Sequence, residues 1–272
     1  MNIGFEHLRP KTGSVDARTH STEDKYPQLK LKVLIIGNCF LSGAVEMFAK
    51  AGCTRAKDMA DADLVVFLGG EDVDPSLYGE KKMSGTYINK ARDEAEMDVF
   101  ANALELEKPM FGICRGMQFL HVMNGGKLYQ DVTNHGMTHA IRDCNTGRII
   151  RASSMHHQMC IVDDSMFPLA YAWTGSMEGV ADEVSAWSGV YATPSKTITD
   201  PNHLDLEAGV YPAINAIAVQ GHPEIGGYPD FTAWCLEQID EFVHGGDTFT
   251  VAKSEPKKID PSLPFLNRGV SI

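Results

Sequence analysis

One cysteine of the chain lies at a position that favours covalent chemistry. In "GICRG" (112–116), Cys114 stands between two glycines where a short apolar run gives way to a helical pattern. This G-x-C-x-G pattern is the cysteine version of the nucleophile elbow, a tight turn between a strand and a helix that exposes the nucleophile. The helix N-terminus would favour the thiolate and supply N–H groups for an oxyanion. The alternative is a small apolar residue at a strand end.

A second motif supplies the residues that a thiol nucleophile requires. The segment "VQGHPE" (219–224) follows an apolar run and presents His222 with Glu224 two positions later. A thiol needs a base, and the base needs an acid to orient it. By itself, His-Pro-Glu is typical of an ordinary turn. Because it follows the cysteine motif in this order, it favours a catalytic set of Cys114, His222 and Glu224.

Two further histidines could bind a metal but lack a complete ligand set. His135 and His139, in "NHGMTH" (134–139), have the i, i+4 spacing that places two ligands on one face of a helix. Gly136 disfavours a helix, and no third ligand stands out in the sequence. Loop histidines are the preferred interpretation, so no metal is expected. The GxGxxG and Walker patterns are absent from the sequence, so no nucleotide cofactor is expected.

Strands and helices alternate in the first half of the chain. Apolar runs that end in glycine predict strands, and segments with helical spacing between them predict helices. The predicted strands are 29–37, 62–70 and 109–113, and the predicted helices are 42–53, 90–108 and 115–123. This order predicts an α/β domain with a parallel sheet and helices on both faces. Sites in such sheets form at the carboxyl ends of strands, where Cys114 stands.

The Arg92–Asp93 pair at a helix start favours a salt bridge that holds the preceding loop.

The second half of the chain is less regular. Apolar runs at 147–153 and 213–222 predict the antiparallel edge of the sheet and its return, and 230–245 predicts a closing helix. Residues 181–212 carry turn formers without clear periodicity, which favours an inserted loop or lid. We therefore expect one domain over 29–245 that contains this insertion. An N-terminal extension over 1–28 and a C-terminal tail over 246–272 flank the domain.

The composition disfavours several classes of protein. The formal net charge of -12 and the pI near 5.2 disfavour a nucleic-acid surface. No apolar run approaches the ~20 residues that cross a bilayer. The polar N-terminus lacks a secretory signal, so a cytoplasmic protein without membrane contact is expected. The six cysteines include no CxxC pair, which favours free thiols in a reducing compartment.

Taken together, the motifs resemble a known superfamily. "GICRGMQ" (112–118) and "VQGHPE" (219–224) are similar to the nucleophile and histidine-glutamate motifs of class I glutamine amidotransferase-like enzymes. "GGEDVDPSLYGE" (69–80), "GGKLYQD" (125–131) and "SMHHQ" (154–158) resemble the gamma-glutamyl-gamma-aminobutyrate hydrolase branch, peptidase C26. The resemblance implies a single-domain three-layer α/β/α sandwich of the flavodoxin-like type, with a mostly parallel central sheet that carries the nucleophile elbow.

The resemblance also implies roles for individual residues. Cys114 would be the nucleophile, His222 the general base and acid, and Glu224 its orienter. The backbone N–H groups of Gly70 and Arg115 would form the oxyanion hole. The bound gamma-glutamyl group would lie near Gln118, His156, His157 and Gln158.

The chain departs from the family pattern on the leaving-group side of the site. Gly221 stands where family members often carry a bulky aromatic residue, which would leave the pocket wall more open. The insertion at 181–212 and the N-terminal extension also lie outside the usual pattern.

Adjacent His156 and His157 point to opposite sides if the segment is extended, so only one of them, His157, is expected to face the pocket.

The expected activity is hydrolysis of a gamma-glutamyl amide bond, in glutamine or a small gamma-glutamyl amine, through a glutamyl thioester. The alternative is a glutaminase subunit that supplies ammonia to a separate synthetase or ligase partner, because no synthetase domain is expected in this chain. A third alternative is a non-catalytic binding module on the same fold, against which the complete Cys-His-Glu set argues. The sequence leaves open the amine released, the pathway and the oligomeric state, for which a homodimer is one option.

Overall fold

The computed structural model of the protein describes residues 26–136, 138–173, 190–199 and 203–245. The tail expected over 246–272 lies outside the described residues, as does the expected N-terminal extension up to residue 25. The same holds for residues 181–189 and 200–202 of the expected insertion. Among the described residues, no helix is long and apolar enough to cross a membrane.

The helices of the described residues lie where the sequence predicts them. They are α1 (Leu41–Lys50), α2 (Lys90–Glu105), α3 (Arg115–Met123) and α4 (Pro229–His244). The Asn89 side chain caps α2 by accepting a hydrogen bond from the Arg92 N–H over 3.2 Å. This bond satisfies one of the first-turn donors that a helix leaves without an internal acceptor. Pro229 begins α4, a position at which proline loses no helical hydrogen bond.

The strands form one large sheet and two small ones. In chain order they are β1 (Lys32–Ile36), β2 (Thr54–Arg55), β3 (Leu64–Phe67), β4 (Met110–Ile113), β5 (Leu128–Tyr129), β6 (Asp131–Val132), β7 (His139–Asp143), β8 (Ile149–Ala152), β9 (Met159–Cys160), β10 (Phe167–Ala172), β11 (Val190–Thr193), β12 (Lys196–Thr199), β13 (Leu206–Tyr211) and β14 (Ala216–Val219). The nine-stranded central sheet has the order β2-β1-β3-β4-β14-β13-β10-β7-β8. The small sheets have the orders β12-β11-β6 and β5-β9.

The central sheet has a parallel part and an antiparallel part. Parallel pairings join β2, β1, β3, β4 and β14, whereas β13, β10, β7 and β8 are added by antiparallel pairings. The antiparallel edge expected at 147–153 is confirmed as β8. The strand expected at 213–222 is instead central, because β14 lies between β4 and β13.

The register of β4 and β14 brings the two candidate motifs to one end of the sheet. Ile113 lies opposite Val219, and the Cys114 N–H continues this ladder by donating to the Val219 carbonyl over 2.8 Å. Because the two strands are parallel, the residues that follow them leave the sheet at the same edge. Cys114 and His222 are therefore held by neighbouring strands.

Helices cover both faces of the sheet. On one face, α1 and α4 pack into a core that includes Phe48, Phe111 and Trp234. On the other face, α2 and α3 pack into a core that includes Phe67 and Phe100. Burial of a large apolar side chain of this kind contributes about 1.5–3 kcal/mol. The predicted three-layer α/β/α fold with a large, mostly parallel central sheet is confirmed.

The prediction of an inserted loop or lid over 181–212 is wrong for the described part of that segment. β11 and β12 form a hairpin that pairs with β6. β13 is a fully buried strand of the central sheet, between β10 and β14. The sequence "LEAGVY" (206–211) does not indicate this strand because Glu207 and Gly209 are residue types that strands disfavour. The resulting burial of Glu207 needs polar partners, which are described below.

Candidate active site

Cys114 lies on a strained turn between β4 and α3. Its backbone has φ 53° and ψ -109°, a region that residues other than glycine rarely adopt. Such a conformation costs about 1–3 kcal/mol and persists only where the surrounding structure holds it. A Cβ at Gly112 would lie 2.7 Å from the Gly116 carbonyl carbon, and one at Gly116 would lie 2.1 Å from the Phe67 carbonyl oxygen. Both glycines are therefore required by close backbone packing, and the strand-turn-helix geometry predicted for this motif is confirmed.

His222 lies between Cys114 and Glu224. Its imidazole lies beside the Cys114 side chain, since a Cβ at Gly69 would lie 2.9 Å from His222 Cε1 and 3.6 Å from Cys114 Cβ, and its Nδ1–H donates to Glu224 Oε1 over 2.7 Å. Only 7% of Cys114, 2% of His222 and 6% of Glu224 is exposed. The structure thus brings together the thiol, the imidazole and the carboxylate that the sequence analysis singled out.

The two partners of His222 determine its charge. Burial by itself would lower the pKa of this imidazole, but the hydrogen bonds and charges of Cys114 and Glu224 outweigh burial and raise the pKa to about 10. An imidazolium beside the sulfur favours the thiolate, which is the nucleophilic form of cysteine. The arrangement can therefore attack an electrophilic carbon and then deliver a proton to a leaving group.

Two residues outside the predicted site hold His222 in place. The Ser153 hydroxyl accepts a hydrogen bond from the His222 N–H over 2.9 Å and donates one to the His222 carbonyl over 2.8 Å. The Phe40 ring packs edge-on against the imidazole, with the ring centroids 5.3 Å apart. Both contacts join segments that are distant in the chain, so no local pattern in the sequence could have identified these residues.

Arg92 holds the loop that follows β3. Its guanidinium donates to the carbonyls of Leu68 and Gly69, over 3.0 and 2.8 Å, and pairs with the Glu71 carboxylate over 2.9 Å. A Cβ at Gly70, where φ is 137°, would lie 2.0 Å from Arg92 Nη1. Glycine is therefore required at this position. Arg92 thus holds the preceding loop, but through Glu71 and two backbone carbonyls and not through the salt bridge expected from the Arg92–Asp93 pair.

The Arg115 side chain is buried against α2. It pairs with the carboxylates of Asp93 and Glu96, and its Cζ lies 4.8 Å from the centroid of the Phe119 ring. Asp93 therefore pairs with Arg115, whereas its neighbour Arg92 pairs with Glu96 over 2.8 Å. Burial lowers the pKa of the Arg115 guanidinium to about 10, with a further contribution from the charge of Arg92. The residue remains a cation at neutral pH and ties α3 to α2.

The two backbone groups expected in an oxyanion hole belong to segments that lie beside the sulfur. A Cβ at Gly69 would lie 2.9 Å from His222 Cε1 and 3.6 Å from Cys114 Cβ, so the loop that carries Gly70 packs against this pair. Arg115 is the first residue of α3, and its N–H therefore lacks an acceptor within the helix. Both N–H groups lie on chain segments adjacent to Cys114.

The four residues expected near a substrate occupy different environments. Gln118, His156 and Gln158 are buried, and the Gln118 amide donates to the Gln158 carbonyl over 3.0 Å. The His157 side chain is 43% exposed, and its Nε2 lies 3.2 Å from Asp72 Oδ2. The hydrogen bond to Asp72 raises the pKa of His157. Of these four side chains, His157 alone is substantially exposed, as expected from the opposite directions of adjacent histidines.

Gly221 does not open a wall of the site. A Cβ at this position would lie 2.6 Å from the Ser153 carbonyl oxygen and 2.9 Å from Phe231 Cζ. Gly221 is itself buried, and the Phe231 ring fills the space beside it. The expectation of a more open pocket at this glycine is therefore wrong.

A second group of ionisable residues lies outside the set formed by Cys114, His222 and Glu224. His135 is in a loop, as expected, but His139 lies on β7, and both face the Glu207 carboxylate of β13. The ligand atoms of these three residues lie within 4.8 Å of one another, and all three residues are buried. Glu207 follows His139 by 68 residues on a segment for which the sequence predicts a loop. Glu207 therefore could not be recognised as a third ligand from the sequence.

Comparisons with known proteins relate the chain to the Peptidase C26 family and to glutamine amidotransferase-like proteins. The chain matches the sequence model of the family Peptidase C26 over residues 43–180. It is 47% identical over 73 residues to the glutamine amidotransferase-like protein YvdE of Lactococcus lactis subsp. lactis. This alignment covers 26% of this chain and 30% of that protein. It is 25% identical over 151 residues to the carbamoyl phosphate synthase small chain of Thermotoga maritima. This alignment covers 52% of this chain and 38% of that one.

Among solved structures, a glutamine amidotransferase of Thermotoga maritima superposes with a TM-score of 0.49 at 15% identity, covering 79% of this chain and 94% of that one. The alignments with the two curated relatives span 30% and 38% of the length of those proteins.

Proposed function

Since this chain belongs to the Peptidase C26 family, we propose that it is a cysteine-dependent hydrolase of gamma-glutamyl amide bonds, with glutamine or a gamma-glutamyl amine as substrate. The observation that carries the proposal is the arrangement of Cys114 beside the His222 imidazole, which is itself hydrogen-bonded to Glu224, with Cys114 on a strained turn at the beginning of a helix. A nucleophile, a base and an orienting acid in this order are what acyl transfer requires.

In the first half of the proposed reaction, the Cys114 thiolate attacks the side-chain carbonyl carbon of the gamma-glutamyl group. A carbon–sulfur bond forms, and the negative charge moves to the carbonyl oxygen. The His222 imidazolium then donates its proton to the leaving nitrogen as the carbon–nitrogen bond breaks. The amine or ammonia departs, and a glutamyl thioester remains on Cys114.

In the second half, water replaces the amine. The neutral His222 imidazole takes a proton from a water molecule as the water oxygen attacks the thioester carbonyl. The carbon–sulfur bond breaks, glutamate leaves, and the thiolate and imidazolium are restored. Glu224 keeps the imidazole oriented through the Nδ1 hydrogen bond and stabilises its positive charge in both halves.

We assign the stabilisation of the oxyanion to the backbone N–H groups of Gly70 and Arg115. The position of Arg115 at the start of α3 supports this assignment because its N–H lacks an acceptor within the helix. The Arg92 guanidinium supports it as well, since it holds the carbonyls of Leu68 and Gly69 and so orients the peptide that precedes Gly70. Loss of one donor from an oxyanion hole costs about 10²–10³ in kcat.

His157 is the residue of the 156–158 segment that we propose contacts the substrate. Its side chain is half-exposed, and its raised pKa favours the cationic form, which suits the alpha-carboxylate of a glutamyl group. Gln118, His156 and Gln158 are buried and would act by holding this segment in place.

The test is an assay of the pure protein against glutamine and a panel of gamma-glutamyl amines. We expect turnover of at least one of them, and acid quenching during turnover should yield a peptide that carries a glutamyl group on Cys114. Cys114→Ala should abolish both results, while circular dichroism checks that the variant folds. A folded wild-type protein that cleaves none of these amides and forms no thioester would contradict the proposal.

A second candidate function is a glutaminase subunit that delivers ammonia to a synthetase. The similarity to a carbamoyl phosphate synthase small chain favours it. Both functions use the same thioester chemistry and differ in their dependence on a partner. A pull-down that retains a synthetase, together with a glutaminase rate that rises about tenfold or more when that synthetase is added, would support the subunit. Full activity of the isolated protein on a gamma-glutamyl amine would support the independent hydrolase.

A further inference from the structure

A buried group of histidine and carboxylate side chains joins β7 to β13. Glu207 Oε1 lies 2.9 Å from His139 Nε2 and 3.3 Å from His135 Nδ1. Burial would raise the pKa of Glu207, but the neighbouring histidines outweigh it and hold this pKa far below its usual range. The group is therefore a buried anion surrounded by imidazoles. None of its three members takes part in the proposed hydrolysis.

A third histidine faces the same carboxylate. His156 Nε2 lies 3.9 Å from Glu207 Oε1, and the His156 and His135 ring centroids are 4.6 Å apart. Its Nδ1–H donates to the Gln158 carbonyl over 2.9 Å, which assigns a ring proton to Nδ1. In this tautomer the lone pair lies on Nε2, the nitrogen that faces the carboxylate.

Three polar atoms of this cluster lack a hydrogen-bond partner among the described residues. They are His135 Nδ1, His156 Nε2 and Glu207 Oε2, and all are buried. An unpaired buried polar atom costs about 1–3 kcal/mol, so three of them on neighbouring side chains indicate a ligand that the side chains do not supply themselves. A lone pair and a carboxylate that face each other are a suitable environment for a cation.

The outer contacts of the cluster are of the kind that metal-bound histidines make. His135 Nε2–H donates to Asp205 Oδ2 over 2.8 Å, and the Tyr191 hydroxyl donates to the same carboxylate. A carboxylate behind an imidazole fixes its orientation and makes its other nitrogen a stronger ligand. The Ser154 hydroxyl donates to the His135 carbonyl over 2.6 Å, which fixes the backbone of the loop as well.

We propose that this cluster binds one Zn²⁺ ion through His135 Nδ1, His139 Nε2, His156 Nε2 and the Glu207 carboxylate. Imidazole nitrogen and carboxylate oxygen bind zinc at about 2.0–2.2 Å, which places tetrahedral ligands about 3.3–3.5 Å from one another. The distances from Glu207 Oε1 to the three nitrogens, 2.9, 3.3 and 3.9 Å, bracket that value. Four protein ligands leave no open position, so the ion is structural and cross-links β7, β13 and the 154–158 segment.

A proton is the competing occupant of the cluster. Burial disfavours a charged His135, but its hydrogen bond to Asp205 and the nearby Glu207 carboxylate outweigh this and raise its pKa to about 9. A doubly protonated His135 would bridge the two carboxylates without a metal. That arrangement still leaves the His156 lone pair without a partner, whereas the zinc ion engages it.

The test loads the full-length protein with excess Zn²⁺, desalts it and counts the bound metal by plasma mass spectrometry. Wild type should retain about one zinc ion per chain, and Glu207→Gln and His156→Ala should each retain less than about a tenth of that amount. His157→Ala is the matched control because it removes the neighbouring imidazole, which points away from the cluster. It should retain as much zinc as wild type.

Co²⁺ supplies a spectroscopic measurement on wild type that does not depend on the folding of any variant. Bound to three imidazoles and a carboxylate, it should show the intense visible absorption of a four-coordinate ion. The proposal is overturned by wild-type zinc retention below about a tenth of an ion per chain, by the weak spectrum of six-coordinate cobalt, or by a thiolate charge-transfer band, which would locate the ion on a cysteine. Equal losses in His156→Ala and His157→Ala would also overturn it.

Discussion

The Ser153 hydroxyl and the backbone of His222 form a reciprocal pair of hydrogen bonds, 2.9 Å to the N–H and 2.8 Å to the carbonyl. Ser153 follows β8 at the antiparallel edge of the sheet, whereas His222 follows β14 in its centre. Glu224 orients the imidazole ring, and Ser153 fixes the backbone from which the ring projects. The position of His222 relative to Cys114 therefore depends on a residue outside the catalytic set.

Ser153→Ala should lower kcat by about 10–100-fold with a smaller change in KM, because a displaced imidazole transfers protons less efficiently. It should also lower the free energy of unfolding by about 1–2 kcal/mol. Steady-state kinetics and urea unfolding measure the two effects. Ser154→Ala is the control, since it removes a buried hydroxyl that donates to His135. Its stability should fall similarly while kcat is retained, and equal kcat in the two variants would contradict a role for Ser153 in positioning His222.

Cys114 should react with iodoacetamide faster than Cys144 at about pH 6, although Cys144 is exposed and Cys114 is buried. The His222 imidazolium favours the thiolate of Cys114, because the pKa of His222 is raised to about 10. Partial burial and the charge of Asp143 raise the pKa of Cys144 to about 11, so this thiol stays protonated. Peptide mass spectrometry of timed samples measures both rates in one protein.

The pH dependence of this alkylation tests its cause. In wild type Cys114 should react faster than Cys144 from about pH 6 to pH 9, since the imidazolium persists until the pH passes the pKa of His222 at about 10. In His222→Asn the imidazolium is absent, so Cys114 should no longer react faster than Cys144 at about pH 6. Equal rates at Cys114 and Cys144 in wild type would exclude the thiolate–imidazolium pair.

Gly221→Ala should destabilise the protein by about 1–3 kcal/mol, because the added methyl group would meet the Ser153 carbonyl and the Phe231 ring. A shift of Ser153 would also displace His222 and lower kcat. Gly226→Ala is the matched control, since a Cβ at Gly226 has no heavy atom within 4 Å. Thermal unfolding of the two variants provides the comparison. If both unfold at the wild-type temperature, Phe231 does not fill the space beside Gly221.

The elbow at Cys114 could be predicted from the sequence because its geometry depends on residues within a few positions. Gly112 and Gly116 are required by contacts that every such turn makes, so the pattern identifies the turn. The pairing of His222 with Glu224 is local as well. Their approach to Cys114 follows from the position of β14 beside β4, which the alternation of strands and helices in the first half of the chain does not predict.

The strand β13 could not be predicted in this way. Glu207 is unfavourable in a buried strand unless tertiary partners compensate for it, and these partners, His135 and His139, come from a distant segment. The same limit applies to the contact of Ser153 with His222, which spans 69 residues. Local sequence patterns therefore locate the proposed nucleophile, but not the residues that hold its proposed base in place.

Arg92 offers a way to alter the proposed oxyanion hole without changing its backbone donors. The guanidinium binds the carbonyls of Leu68 and Gly69 and the carboxylates of Glu71 and Glu96 at once. The ammonium of a lysine carries the same charge but cannot form this planar, forked set of hydrogen bonds. The peptide that precedes Gly70 should therefore lose its orientation in Arg92→Lys.

Arg92→Lys should lower kcat by about 10²-fold with a smaller effect on KM, because a misplaced Gly70 N–H no longer stabilises the charge that develops in the transition state. Glu71→Gln is the control: the Glu71 side chain is 48% exposed, and exposed ion pairs contribute only about 0–1 kcal/mol. Its kcat should stay within about twofold of wild type. Steady-state kinetics on the preferred amide and thermal unfolding separate a catalytic effect from a loss of stability. A wild-type kcat in Arg92→Lys would contradict the assignment of Gly70 to the oxyanion hole. An equal loss of kcat in Arg92→Lys and Glu71→Gln would attribute the effect to the charge network as a whole.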